Sequence, residues 1–212
     1  SFAAVAGFMA FFFRDPERVP LRGDHLVLAP ADGRVMVAGE PEPGVAPAGD
    51  WRQVSIFLSP LDVHVNRMPF SGRVGHVEYR PGRFLPAYEA GAASENERSE
   101  VWIHQGERTV IARQIVGILA RRVVCRAIAG TDVRAGDRFG LMKFGSRMDV
   151  FVPREAQLDV RVGDRVRAAE TVLARFPEGA IFPAGATFGG PGTARELRPY
   201  ASIRLPEDGG KA

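Results

Sequence analysis

The 212-residue chain is predicted to be mostly β, a sandwich or partly closed barrel with lipoyl- or hammerhead-like hairpins, preceded by an N-terminal apolar helix. Three observations predict this. Short apolar runs of period two recur through the middle of the chain. The 24 Gly and 16 Pro are scattered among those runs, so turns interrupt them at frequent intervals. Regular strand spacing of this kind belongs to sandwiches and barrels.

Residues 1–13 (SFAAVAGFMAFFF) carry no charge, and Arg14–Asp15–Pro16 ends the run abruptly. The run is shorter than the roughly 20 residues that span a bilayer. It also lacks the basic start and small-residue cleavage site of a signal peptide. It is read as a membrane-associated segment, the remnant of a longer anchor, ahead of a catalytic β domain over residues 14–212. Strands are predicted at Leu26–Leu28, Gly33–Val37, Gln53–Leu58, Gly72–Tyr79, Val101–His104, Thr109–Ile115 and Arg121–Ala127. A helix is predicted at Ile115–Arg121, weakened by Gly117. Val133–Phe139 and Val160–Val166 echo one another, each with a Gly-Asp turn leading into a strand. Glu89–Arg98 is polar and small and reads as an exposed loop. Pro183–Ala212, rich in Gly and Pro, reads as a surface-wrapping or fraying end.

The formal net charge is only +3, and Lys143 and Lys211 are the sole lysines among 28 basic residues. Arginine is the better bidentate partner for phosphate, which suits an acidic lipid surface; genomic base composition explains the bias equally well. No basic block interleaved with aromatics is present, so no nucleic-acid partner is expected. Cys125 is the only cysteine, which excludes an intrachain disulfide. His25, His64, His76 and His104 are too scattered for a metal motif, and no metal is expected.

Three polar groups sit where strand ends and turns would place them: Asp32 in Ala-Pro-Ala-Asp-Gly, His64 in Asp-Val-His-Val-Asn, and Ser146 in Phe-Gly-Ser-Arg. Together they suggest an activated nucleophile, with the carboxylate orienting the imidazole and the imidazole deprotonating the hydroxyl. Singly, each reads as a turn former or a half-buried side chain. Gly145–Ser146–Arg147–Met148 lacks the second glycine of a nucleophile elbow, which disfavours an ordinary serine hydrolase. A lipoyl or biotinyl carrier, or a membrane scaffold module, is the alternative; a carrier would present Lys143 at a hairpin tip.

Four separated motifs, in order, carry a resemblance. They are Ala-Pro-Ala-Asp-Gly at 29–33, Phe-Leu-Ser-Pro-Leu-Asp-Val-His-Val-Asn-Arg-Met-Pro at 57–69, Glu-Asn-Glu-Arg at 95–98 and Lys-Phe-Gly-Ser-Arg-Met-Asp at 143–149. With the Phe-Arg-Asp-Pro that follows the apolar start, the chain resembles the short, archaeal-type branch of the phosphatidylserine decarboxylases. The likeness runs from about Phe11 to the region of Arg175.

The resemblance implies a proenzyme that cuts itself between Gly145 and Ser146, leaving a β chain (1–145) and an α chain (146–212) packed together. Ser146 would become a pyruvoyl group, with no external cofactor. That group would form a Schiff base with phosphatidylserine in a membrane and accept electron density as CO₂ leaves. His64, held by Asp32, is the implied base, and the product is phosphatidylethanolamine. A location at the cell membrane, on its cytoplasmic face, is expected; homo-oligomerisation is left open. Longer relatives of this kind cleave within Leu-Gly-Ser-Thr, where this chain has Phe-Gly-Ser-Arg. They also carry a second histidine where this chain has Arg67, so His64 serves both steps or a group such as His76 assists. Arg80 and Arg83 are candidates for the substrate phosphate; a solvated turn explains them slightly better. A related pyruvoyl enzyme acting on a soluble amino acid is disfavoured by the apolar start.

Overall fold

A computed structural model describes residues 2–89, 91–118, 122–143 and 145–177. Helix α1 (Phe2–Phe12) is followed by β1 (Leu26–Leu28), β2 (Gly33–Gly39), β3 (Trp51–Leu58), β4 (Val65–Arg67) and β5 (Gly72–Arg80). A single helical turn, α2 (Ala92–Glu95), precedes β6 (Arg98–Gln105), β7 (Arg108–Ile115), β8 (Val124–Cys125) and β9 (Asp132–Val133). The chain continues through β10 (Arg138–Leu141), β11 (Ser146–Pro153), β12 (Gln157–Leu158), β13 (Arg165–Val166) and β14 (Val172–Arg175).

Eight strands form one antiparallel sheet in the order β13-β2-β3-β11-β7-β6-β5-β9, curled into a half-barrel. Two three-stranded sheets, β1-β14-β12 and β4-β10-β8, accompany it. The expected mostly β class with an N-terminal helix is what the chain adopts. Strand alternation divides the large sheet's side chains between two layers. On one face Val35, Ile56, Val101, Ile103, Met148, Val150 and Val152 join Val27, Phe70, Phe139 and Phe176 in the main core. On the other, Trp51, Trp102, Ile111, Ile115 and Phe151 pack with Val45 and Ala93.

The longest strand missing from the sequence reading is β11, which begins at Ser146; the short β4, β9, β12 and β14 are missing too. All eight residues of β11 are buried, with Met148, Val150 and Val152 on an apolar face and Arg147 and Asp149 on an ionic one, so no face is solvated as in a half-buried strand. The predicted helix over Ile115–Arg121 does not form in its described part: Ile115 ends β7, paired with both Arg98 and Arg147, and residues 119–121 lie outside the described residues. Glu89–Arg98 is not simply an exposed loop. Ala92, Ala93, Asn96 and Glu97 are buried, and the Asn96 amide bonds Leu85 O and Val116 O. The Gly-Asp echo is one turn used twice: Asp137 and Asp164 each accept the backbone N–H three residues earlier, at 2.8 Å. Pro183–Ala212 lies outside the described residues.

Candidate active site

The three chemistry-bearing segments meet at one end of the large sheet. Arg34, Phe57 and Arg147 stand in one register row across β2, β3 and β11. Asp32 lies just ahead of that row at the start of β2, and Ser146 precedes it on β11, opposite Leu58. Beyond Leu58 the chain turns tightly, with Ser59 N–H donating to the Asp62 carboxylate at 2.8 Å. It then reaches His64, whose carbonyl accepts from Met142 N–H at 3.2 Å. His64 is thereby tied to the segment that leads into Ser146.

His64 is fully buried. Its Nδ1 lies 2.9 Å from the Asp62 carbonyl. A carbonyl only accepts, so Nδ1 carries the proton and the neutral ring leaves its lone pair on Nε2. That Nε2 has no partner among the described residues. Phe12, the one buried residue of α1, lies against the imidazole with ring centroids 4.1 Å apart. Burial pushes the His64 pKa below its ordinary value, with the nearby Arg14 charge adding to the effect and the Asp62 carbonyl and carboxylate opposing it. A neutral imidazole with a free, buried lone pair has the chemistry of a general base.

Ser146 Oγ is likewise buried and without a partner among the described residues. An unpaired buried hydroxyl costs free energy, and such groups concentrate where chemistry requires them. Gly145 has φ +65°, a left-handed conformation that glycine accepts without steric penalty. Its carbonyl oxygen lies against Gly117, where an added Cβ would stand only 1.8 Å away. The same Cβ would also meet Ala87 Cβ at 3.4 Å. The Gly145 carbonyl therefore occupies a slot that only a glycine at 117 leaves open.

The remaining predicted residues divide. Asp32 shares the sheet end with Ser146, but its carboxylate is not bonded to the imidazole. One oxygen takes Arg18 at 2.7 Å and the other takes Ala168 N–H at 2.8 Å. The orienting role expected of Asp32 falls to the Asp62 carbonyl. Arg67, in the place of a second histidine, is buried and donates to Asp15 at 2.8 Å, Gly136 O at 3.1 Å and Pro16 O at 3.2 Å. Asp15 also pairs with Arg138, and Arg14 donates to Leu61 O at 2.8 Å, so the Arg-Asp-Pro sequence fastens the N-terminal segment to the His64 loop.

His76 is on β5, three strands away from β11 in the sheet order. At a spacing of about 4.8 Å per strand that is roughly 14 Å, too far to assist. Arg80 is held by Glu78 at 2.8 and 3.0 Å and Arg83 by Glu95 at 2.8 Å. Lys143 is not at a hairpin tip: β10 and β11, which flank it, belong to different sheets.

Comparison with known proteins decides among the readings this geometry permits. A family model described as phosphatidylserine decarboxylase matches residues 5–174. The chain is 44% identical over 170 residues to the phosphatidylserine decarboxylase proenzyme of Prosthecochloris aestuarii, covering 80% of this chain and 78% of that one. It is 47% identical over 180 residues to the proenzyme of that name from Salinibacter ruber, covering 82% and 79%. For the Mycobacterium avium proenzyme the identity is 47% over 177 residues, covering 82% and 74%. The chain belongs to the phosphatidylserine decarboxylase family.

Within this member of the decarboxylase family, sequence reasoning passed over several residues of the site. The Asp62 carbonyl and the Gly117 slot are backbone features, invisible in side-chain chemistry. Phe12 is one of three consecutive Phe, and only the folded position of α1 selects it. Asn66 and Gln114 bond one another at 2.8 Å, while Asn66 Nδ2 and Gln114 Oε1 stay buried and unpartnered among the described residues. Asn66 stood within the quoted 57–69 motif, two residues from His64, a spacing that offered the only signal.

Proposed function

We propose that the chain is a self-processing phosphatidylserine decarboxylase that breaks its own Gly145–Ser146 bond and forms its pyruvoyl group from Ser146. The observation that supports this most is the pair of buried, unpartnered atoms His64 Nε2 and Ser146 Oγ at one sheet end, beside a left-handed glycine. Ser146 Oγ attacks the Gly145 carbonyl carbon while His64 Nε2 takes the hydroxyl proton. The amide nitrogen leaves, and the peptide becomes an ester. Loss of the Ser146 Cα proton then breaks the Cβ–O bond and releases Gly145 as a carboxylate. The dehydroalanine left at 146 takes up one water and loses ammonia. Ser146 fits as the precursor, because its hydroxyl faces no competing partner and its neighbour offers no Cβ to block attack.

The pyruvoyl group supplies an electron sink for decarboxylation. His64 returns a proton to the substrate carbon, serving both steps, since Arg67 is engaged by Asp15, Gly136 O and Pro16 O. Asp32 acts as a positioning residue, tying the 29–33 turn to Arg18 and to the turn between β13 and β14 at Ala168. Arg83, on the loop that also brings Ala87 against Gly117, is the better placed of the two arginines for a phosphate. Its exposed pair with Glu95 is weak enough to exchange.

The substrate surface is read from exposed apolar groups near the site. Phe2, Val5, Phe8, Met9 and Phe11 of α1 are exposed, as are Leu61, Tyr88 and Ile118 around the His64 turn and the Gly117 slot. No helix among the described residues is long and apolar enough to cross a membrane. An interfacial seat for α1 suits a lipid substrate presented from the bilayer. The test is CO₂ release from phosphatidylserine in mixed vesicles beside free serine; turnover of the soluble amino acid alone would replace this reading.

A further inference from the structure

We infer that Arg147 anchors a buried clasp that holds the new chain end in the active site once the Gly145–Ser146 bond is broken. The inference rests on the cleavage proposed above and deepens it. Arg147 follows the nucleophile directly, and strand alternation sends its side chain through the face opposite Ser146. It is fully buried, as is Asp149. Arg147 Nε donates to Asp149 Oδ1 at 2.7 Å, and Nη2 donates to Ser55 Oγ at 2.9 Å and to the Glu42 carboxylate. Gln53 Nε2 completes the cluster, donating to Asp149 Oδ2 at 3.1 Å and to Ser55 Oγ at 2.9 Å.

The clasp has a direction. Arg147 and Asp149 belong to the fragment 146–212, whereas Glu42, Gln53 and Ser55 belong to the fragment 1–145. Cutting at 145–146 turns three bonds within one chain into bonds between two. In the uncut chain the covalent bond itself holds Ser146 in place, so the clasp is redundant there. After the cut, residue 146 is a chain end, and chain ends fray unless they are tied down. A buried ion cluster is a poor source of stability compared with apolar packing, which leaves placement of that end as its use. The planar guanidinium fork suits this, since it fixes position as well as charge. The chemistry at 146 agrees: an ordinary new N-terminus would add an ammonium beside a buried guanidinium, whereas a keto terminus adds no charge.

Arg147 is thus a positioning residue, and its signature is a split between cleavage, which it leaves nearly untouched, and decarboxylation, which needs it. Wild type, Arg147→Met, Arg147→Lys and Glu42→Gln are purified and their cleavage time courses followed by intact mass. The urea midpoint at which the 146–212 fragment separates from 1–145 is read by size exclusion, and decarboxylation is measured per cleaved chain. Cleavage in R147M and E42Q is expected within about threefold of wild type. The fragment should leave at clearly lower urea, kcat per cleaved chain should fall at least tenfold with KM within threefold, and R147K should recover part of both losses.

Wild-type urea midpoints in cleaved R147M and E42Q would overturn the clasp. So would folded variants that fail to cleave where wild type cleaves, because Arg147 would then act before the break. Should R147M not accumulate as folded protein, E42Q carries the same test, since it leaves the Arg147–Asp149 pair intact. An intact wild-type chain would instead sink the proposed cleavage itself.

Discussion

Replacing Gly117 with alanine tests how the scissile carbonyl is held. The new Cβ would stand 1.8 Å from Gly145 O, where ordinary contact begins near 3.4 Å, so something must yield by about 1.6 Å. Residue 117 has little room to retreat. Val116 before it is buried and its N–H donates to Glu97 O at 3.1 Å, and Ala87 Cβ would already lie 3.4 Å from the new Cβ. The Gly145 carbonyl is the group that moves. Displacing a reacting atom by about 1 Å costs on the order of 100-fold in rate, or about 2.7 kcal/mol in barrier. The assay is the time course of proenzyme conversion by denaturing gel and intact mass, with a thermal melt to show that the fold persists. Conversion of folded G117A at the wild-type rate would refute the slot.

The same geometry sets further expectations. Ser146→Ala should remain one uncut, inactive chain, seen by intact mass, while His64→Gln should slow cleavage at least 100-fold in the same time course, the scale of a lost general base. Because burial holds the His64 pKa low, the cleavage rate should stay level as pH falls through the ordinary imidazole value and drop only below it. Phe12→Ala, which opens the ring to water, should move that acid limb of the pH–rate profile upward. The same depressed pKa carries a stability term, present in full above the unfolded-state value and lost as pH falls from there toward the folded one. His64→Gln should remove that part of the pH dependence in urea melts. Asp32→Asn should cost at most about 3 kcal/mol in urea melts, since Arg18 keeps Glu170 at 3.0 Å. It should slow cleavage less than tenfold, whereas loss of a triad carboxylate would cost nearer 10⁴.

Ser146 and His64 stood out as candidates because their side chains lie within recognisable motifs, and the fold leaves Ser146 Oγ and His64 Nε2 buried and unpartnered among the described residues. The half-barrel was legible through strands such as Gln53–Leu58 and Thr109–Ile115, whose apolar periodicity survives in sequence. The parts that stayed hidden depend on the backbone or on long-range pairing. Asp32 looked like the histidine's partner because Asp-His pairs are common, yet Arg18 and the Ala168 amide claim its oxygens, and a neighbouring carbonyl does the orienting. The central strand β11 hid because both its faces are buried, one apolar and one ionic. Arg147 showed in the sequence only as a departure from a family pattern, and its buried partners come from chain positions about 90 and 105 residues earlier.

The most direct test of the account is the intact mass of the purified wild-type protein beside S146A. The account predicts two wild-type species, 1–145 and 146–212, the second lighter by one ammonia than a serine-initiated chain, and a single uncut S146A chain. A wild-type break at any other bond, or the same break in S146A, would contradict it.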